Sequence, residues 1–203
     1  MKKNRTVLII AEVAILSALS LVLDYLANVT TGSLFVSGGS ISIAMLPIMV
    51  ISFRRGLIAG LASGLIVGTL QVIWGGHILQ FFQYIFDYPI AYTVVGFAGI
   101  FTYLNKRKIK KTTIIFGAIF AGILRYISHV LAGIFFWGEY AKETFDFLNK
   151  TITGFNVYTW SLFYNSLYMI PSMIVTVVVL VILYVYAKEI FVLENNNEYE
   201  IEL

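Results

Sequence analysis

Apolar residues fall along this chain in long blocks, and the polar residues between them are few and bunched. The first block runs from about Thr6 to Ala27, behind Lys2, Lys3 and Arg5. An uncharged linker, Asn28 to Ser40, ends in glycines and serines. A short second block, Ile41 to Phe53, carries Pro47 and stops at Arg54 and Arg55. The third runs from Gly56 to Trp74, and Gly75, Gly76 and His77 make a turn. The fourth spans about Ile78 to Leu104 with Pro89 inside it, and the fifth spans Thr112 to Trp137. A polar loop, Gly138 to Asn156, precedes the sixth, Val157 to Ala187, where Pro171 predicts a kink. A helix needs about 20 apolar residues to cross a bilayer. The pattern therefore predicts an all-α polytopic membrane protein, with six transmembrane helices forming one domain over residues 1–190. Residues 191–203 are expected to be a disordered tail, acidic from Glu194 to Leu203. The basic-then-apolar start has the look of a signal peptide. No small-residue cleavage site clearly follows and further spans do, so a retained first helix is expected.

Composition sharpens this. The chain has 203 residues, 59% hydrophobic and only 12% charged, whereas a soluble domain is about a quarter charged. There is no cysteine, which excludes disulfides, thiolate metal sites and cysteine nucleophiles. The net charge of +3 is not the footprint of nucleic-acid binding, because the cations sit at the ends of apolar blocks. Lys2, Lys3, Arg5, Arg54, Arg55, Lys106, Arg107, Lys108, Lys110, Lys111 and Lys188 fall on one side of a six-span bundle, against Lys142 and Lys150 on the other. The excess of cations on cytoplasmic loops then puts both termini in the cytoplasm. Glycines at 56, 60, 64 and 68 form a stripe in the third block, which suits close helix packing in lipid.

Candidate chemistry is confined to ionisable residues inside spans, which are costly and default to function: Glu12, Asp24, Asp87, Arg125 and His129. At about 1.5 Å rise per residue, Asp87, His129 and Asn165 sit at one level in the outer half of the membrane. Tyr84, Tyr88, Trp137, Tyr158, Trp160 and Tyr164 surround them. His129, Gly133 and Trp137 share one helix face. A carboxylate neutralises a cation, Asn and His read ring nitrogens, and aromatic faces stack and attract cations. That is what a pocket for a small, flat, partly charged ligand needs. Two blander readings stand beside it: an interfacial aromatic belt, and a buried pair of Asp87 with Arg125 or His129. Arg125, near mid-membrane, is best read as a partner in a structural ion pair. No phosphate-binding loop or zinc-binding H-E-x-x-H occurs. With only His77 and His129, no metal site or cofactor is expected. Ser63 with His129 as an intramembrane Ser–His pair has only its two residue types to support it, so no enzyme is expected.

At these residues the sequence resembles the thiamine-specific substrate-binding subunits (S-components) of energy-coupling factor vitamin transporters. The resemblance runs over nearly the whole chain. It is carried by Phe86-Asp87-Tyr88-Pro89 with Gly96 to Gly99, by His129-x3-Gly133-x3-Trp137, and by Tyr164-Asn165 with Tyr168 to Pro171. It implies a high-affinity thiamine site in which Asp87 faces the cationic ligand. Tyr88, His129 and Trp137 stack on or hydrogen-bond its rings, and Asn165 hydrogen-bonds the pyrimidine. Tyr84 and Gly133 join the site, Trp160 stands where the family commonly has Tyr, and Phe35 is a substitute for a Trp in the first outer loop. Ala14-x3-Ala18 matches the small-residue dock for the transmembrane coupling subunit. The implied partners are thiamine, that coupling subunit and two ATPases, in a prokaryotic plasma membrane, with Asn28 to Ser40 and Gly75 to Leu79 as lids. An S-component for another vitamin or a thiamine precursor, and a stand-alone proton-coupled carrier using Asp87 and His129, are the alternatives.

Overall fold

The computed structural model describes residues 2–35, 38–74, 78–105, 109–142, 144–147 and 150–191. The Gly75–His77 turn, Lys106 to Lys108 and the acidic tail lie outside the described residues. Six helices form the bundle, in chain order α1 (Lys2–Thr31), α2 (Met45–Arg55), α3 (Leu57–Leu70), α4 (Phe81–Leu104), α5 (Lys111–Phe136) and α6 (Val157–Tyr186). Between α5 and α6 the loop holds a short antiparallel hairpin, β1 (Thr144–Phe147) with β2 (Lys150–Thr153), pairing Phe145 with Ile152. Helices α1, α4, α5 and α6 are each long and apolar enough to cross a membrane.

Helix α2 is shorter than its apolar block, with 11 residues. The block's first residues, Ile41 to Ala44, are not helical. Irregular backbone survives at membrane depth only where protein satisfies its polar groups, and here side chains do so. Ile41 N donates to Thr31 Oγ1 at 2.9 Å, Ser42 N to Ser172 Oγ at 2.9 Å, and Ser20 Oγ to the Ala44 carbonyl at 2.5 Å. The entering chain is thus stitched between α1 and α6, and α2 is buried along nearly its whole length. Thr31 is able to serve because α1 runs four residues past its predicted end at Ala27. The α2–α3 corner turns on Gly56, whose φ of +91° is left-handed backbone that glycine adopts without strain.

The glycine stripe packs inside the bundle. A Cβ on Gly68 would meet the Tyr88 carbonyl oxygen at 2.5 Å, and one on Gly64 would run into the Tyr92 carbonyl. Helix α3 therefore lies backbone-to-backbone against α4. Gly64→Val is expected to destabilise the protein by about 2 kcal/mol, the scale of overpacking a tight core. Thermal unfolding in detergent checks this; an unchanged midpoint would show that α3 can retreat from α4.

Helix α4 is irregular where it meets the stripe. Pro89 removes an N–H, and the backbone opens into a π-turn over Phe86–Ile90, then tightens to a 3-10 stretch over Val94–Gly99. Two carbonyls in the irregular stretches take side-chain donors: Phe86 O from Ser128 Oγ at 2.7 Å, and Gly96 O from Ser52 Oγ at 2.5 Å. Helix α6, in contrast, is one unbroken helix through Pro171.

One end of the bundle is closed by charge. The Glu12 carboxylate on α1 takes Arg54 Nε at 3.2 Å and Arg55 Nε at 2.5 Å. Arg54 also donates to the carbonyls of Glu189 and Ile190 in the turn after α6, and Phe191 is buried against Phe53 and Tyr184. The start of α1, the α2–α3 corner and the end of α6 therefore meet at one end. Tyr184 OH donates to Ile109 O, bringing the α4–α5 connection there too. Ala14 and Ala18 lie on the outward face of α1, whose inward face is Val13, Ser17, Ser20, Asp24 and Ala27.

Candidate functional site

The opposite end of the bundle holds a cavity of about 360 Å³. Each helix contributes by its own period. Helix α5 presents Arg125, His129, Gly133 and Trp137, spaced by four, so that they form one face. Helix α6 presents Trp160, Ser161, Tyr164, Asn165, Tyr168, Met169 and Ser172. Helix α1 adds Asp24 and Asn28, and the turn after α3 adds Gln71. The π-turn of α4 delivers Asp87 and Tyr88, with Tyr92 just beyond it.

Asp87 is held by three side chains. Its Oδ2 accepts from Gln83 Nε2 at 2.6 Å and from Trp137 Nε1 at 2.9 Å, and its Oδ1 lies 3.2 Å from His129 Nδ1. An ionised carboxylate is an acceptor-only group with room for all three donors. With Nδ1 of a neutral ring donating to Asp87, His129 Nε2 is an acceptor, and it is buried with no partner among the described residues. Asn165 is held by α5 and α6: Nδ2 donates to the Ser161 carbonyl at 2.8 Å and to the His129 carbonyl at 3.4 Å, and Oδ1 accepts from Tyr168 OH. Among the described residues Tyr168 is the one donor to that oxygen.

A second acid stands on the α1 side. Asp24 accepts from Tyr92 OH at 2.8 Å, Ser42 Oγ at 3.0 Å and Asn28 Nδ2 at 3.1 Å. Arg125 lies over the Tyr92 ring, its guanidinium carbon 4.0 Å from the centroid, a cation–π contact. The expected ion pair of Arg125 is thus replaced by an aromatic face, while Asp87 pairs with His129.

Aromatic walls complete the cavity. Trp160 and Tyr164 are stacked, with centroids 5.7 Å apart and planes 27° from parallel. Phe35 meets Tyr168 edge-on at 5.6 Å, and Tyr164 OH donates to Gly38 O at 2.9 Å. These contacts fold the α1–α2 connection over the cavity. A Cβ on Gly133 would run into Ser161 Oγ, so only glycine leaves the α5–α6 wall this close.

Of the residues singled out from sequence, Asp87, Tyr88, His129, Gly133, Trp137, Trp160, Asn165 and Phe35 line the cavity. Tyr84 does not. Its hydroxyl reaches to the Thr69 carbonyl on α3, and its ring packs on Tyr88 at 5.7 Å, so it supports the wall from behind. Ser63 bonds Ser17 Oγ at 2.8 Å rather than His129, which removes the Ser–His pair. Sequence reasoning left Gln71, Tyr92, Ser161 and Tyr168 outside the site and gave Asp24 and Arg125 no place in it. The four-residue spacing from Arg125 to His129 and from Ser161 to Asn165 is the signal that extends the faces already marked.

The comparisons with known proteins agree with this architecture. The sequence model of the thiamine transporter protein family (Thia_YuaJ) matches residues 10–192. This chain belongs to that family. It is 34% identical over 201 residues to the thiamine transporter ThiT of Bacillus subtilis, covering 94% of this chain and 97% of that one. It is 32% identical over 210 residues to ThiT of Lacticaseibacillus paracasei, covering 98% of each. Among solved structures, ThiT from Listeria monocytogenes superposes with a TM-score of 0.76 at 28% identity, over 94% of this chain and all of the other. The family is one of transporters, not enzymes, and this chain is a helical membrane protein.

Proposed function

We propose that this protein binds thiamine in the cavity between α1 and α6 and serves as the substrate-binding subunit of an energy-coupled importer. The observation that carries the ligand is the charge and shape of the cavity together. Asp24, Asp87 and Arg125 line it, a sum of one negative charge with His129 neutral. The walls are aromatic faces. A flat, singly cationic ligand with ring nitrogens suits that sum. Asp87 opposes the cation, His129 Nε2 accepts from an amino group, and Trp137, Trp160 and Tyr88 offer faces for the rings. The names of the relatives support the same ligand.

Titrating purified, ligand-stripped protein with thiamine while following tryptophan fluorescence tests this. Trp137 and Trp160 border the cavity and should be quenched saturably at submicromolar ligand. No response from folded protein would overturn the thiamine reading and turn the search to other flat vitamins. Gly133→Val is expected to weaken binding by tenfold or more, because the added methyls drive Ser161 and Asn165 into the cavity. Unchanged affinity in that variant would show that the ligand does not use this wall.

The coupling partners belong to the same proposal. The sequence has no nucleotide-binding motif, and in this reading the energy comes from other subunits, a transmembrane coupling protein and two ATPases. The outward Ala14 and Ala18 of α1 are where a foreign helix approaches closely. The Arg-rich end then faces the cytoplasm with both termini, and the cavity opens outside. Vesicles holding this chain alone should not accumulate thiamine under a pH gradient. Accumulation there would favour a proton-coupled carrier instead.

A further inference from the structure

We infer that Gln83, which does not border the cavity, is a positioning residue that sets the orientation of the Asp87 carboxylate and ties it to the outer turn before α4. Gln83 is fully buried. Its carboxamide is used at both ends: Nε2 donates to Asp87 Oδ2 at 2.6 Å, and Oε1 accepts from the backbone N–H of Leu79 at 2.9 Å. Gln83 therefore reaches the cavity through Asp87. The geometry explains why a positioning residue is needed. Asp87 sits in the π-turn, where the regular helical ladder gives no fixed reference for its side chain. Trp137 and His129 each hold one carboxylate oxygen from the α5 side. Gln83 adds a second donor to Oδ2 from the carboxylate's own helix, so the charge is held against both helices before a cation arrives. Preorganisation of this kind lowers the cost of binding. The Leu79 link extends the constraint to the segment leading into α4. A glutamine is suited to the task because it donates and accepts at once and is neutral; a charged residue here would alter the sum of the cavity.

This inference rests on thiamine as the ligand, and its test separates the two. Thiamine affinity of the full chain in detergent is measured for the wild type, Gln83→Leu, Asp87→Ala and the double variant, with thermal unfolding midpoints for all four. Gln83→Leu is expected to weaken binding about tenfold, what loss of one hydrogen bond to a charged group yields. In the Asp87→Ala background the same substitution is expected to change affinity less than twofold, because the group it positions is gone. Equal weakening in both backgrounds would show a purely structural role and overturn the inference, as would unchanged affinity in the single variant. Lack of thiamine binding by the folded wild type would instead strike the ligand itself. A lowered unfolding midpoint without the background dependence would also count against positioning.

Discussion

Asp87→Asn is expected to weaken thiamine binding about a hundredfold while leaving the fold intact. The substitution is isosteric, so the volume of the side chain is unchanged. What changes is charge and hydrogen-bond polarity. The lining charge rises from one negative to zero, and the thiazolium loses its counterion. At about 4 Å and an effective dielectric of about 20 the direct attraction is about 4 kcal/mol. Part of that is offset by the desolvation both ions undergo, and a hundredfold loss corresponds to about 2.7 kcal/mol. The second effect has the same sign. Gln83, Trp137 and His129 all direct donors at this group. A carboxamide has one acceptor oxygen and sets an N–H₂ against at least one of those donors, which turns the residue and displaces Trp137. Fluorescence titration of the variant beside the wild type measures the loss. A change of threefold or less would mean that the ligand's cation lies elsewhere, with Asp24 the next acid in the cavity.

The fold and much of the site could be read from the sequence because both rest on helical period. Length and apolarity marked α1, α4, α5 and α6, and the spacing of His129, Gly133 and Trp137 marked a face that the structure turns into the cavity. Period fails where the backbone leaves the helix. The Ile41 to Ala44 stretch is as apolar as a helix start, and it stays out of the helix because Thr31, Ser172 and Ser20 satisfy its polar groups from other helices; the pattern of apolar positions does not reveal those partners. Tyr84 stands outside the cavity lining for a related reason. It shares the i, i+4 spacing with Tyr88, but the π-turn intervenes, and its hydroxyl finds α3 instead. For Arg125, charge alone suggests a counter-charge and hence an ion pair. The Tyr92 face that receives Arg125 lies 33 positions away along the chain and is visible only once α4 and α5 are packed together.

Thiamine diphosphate is expected to bind at least tenfold more weakly than thiamine. Phosphorylation adds about 1.5 to 2 negative charges per monoester group at neutral pH, so the diphosphate is a net anion entering a cavity that already holds a net negative charge. Among the described residues, Arg125 is the one fixed cation on its wall. That cation is not idle. It lies on Tyr92, whose hydroxyl donates to Asp24, so its field is already opposed by an acid one ring away. Any position that brings phosphate to Arg125 also brings it near Asp24. Volume argues the same way, since about 360 Å³ at the lower end of the range for small-molecule sites leaves little space for a hydrated diphosphate behind the rings. Competition titration of the two ligands against the same fluorescence signal decides the matter. Equal or tighter binding of the diphosphate would show that Arg125 leaves Tyr92 to become a phosphate ligand, and Asp24 rather than Asp87 would then be the acid whose neutralisation tunes preference among the phosphorylated forms.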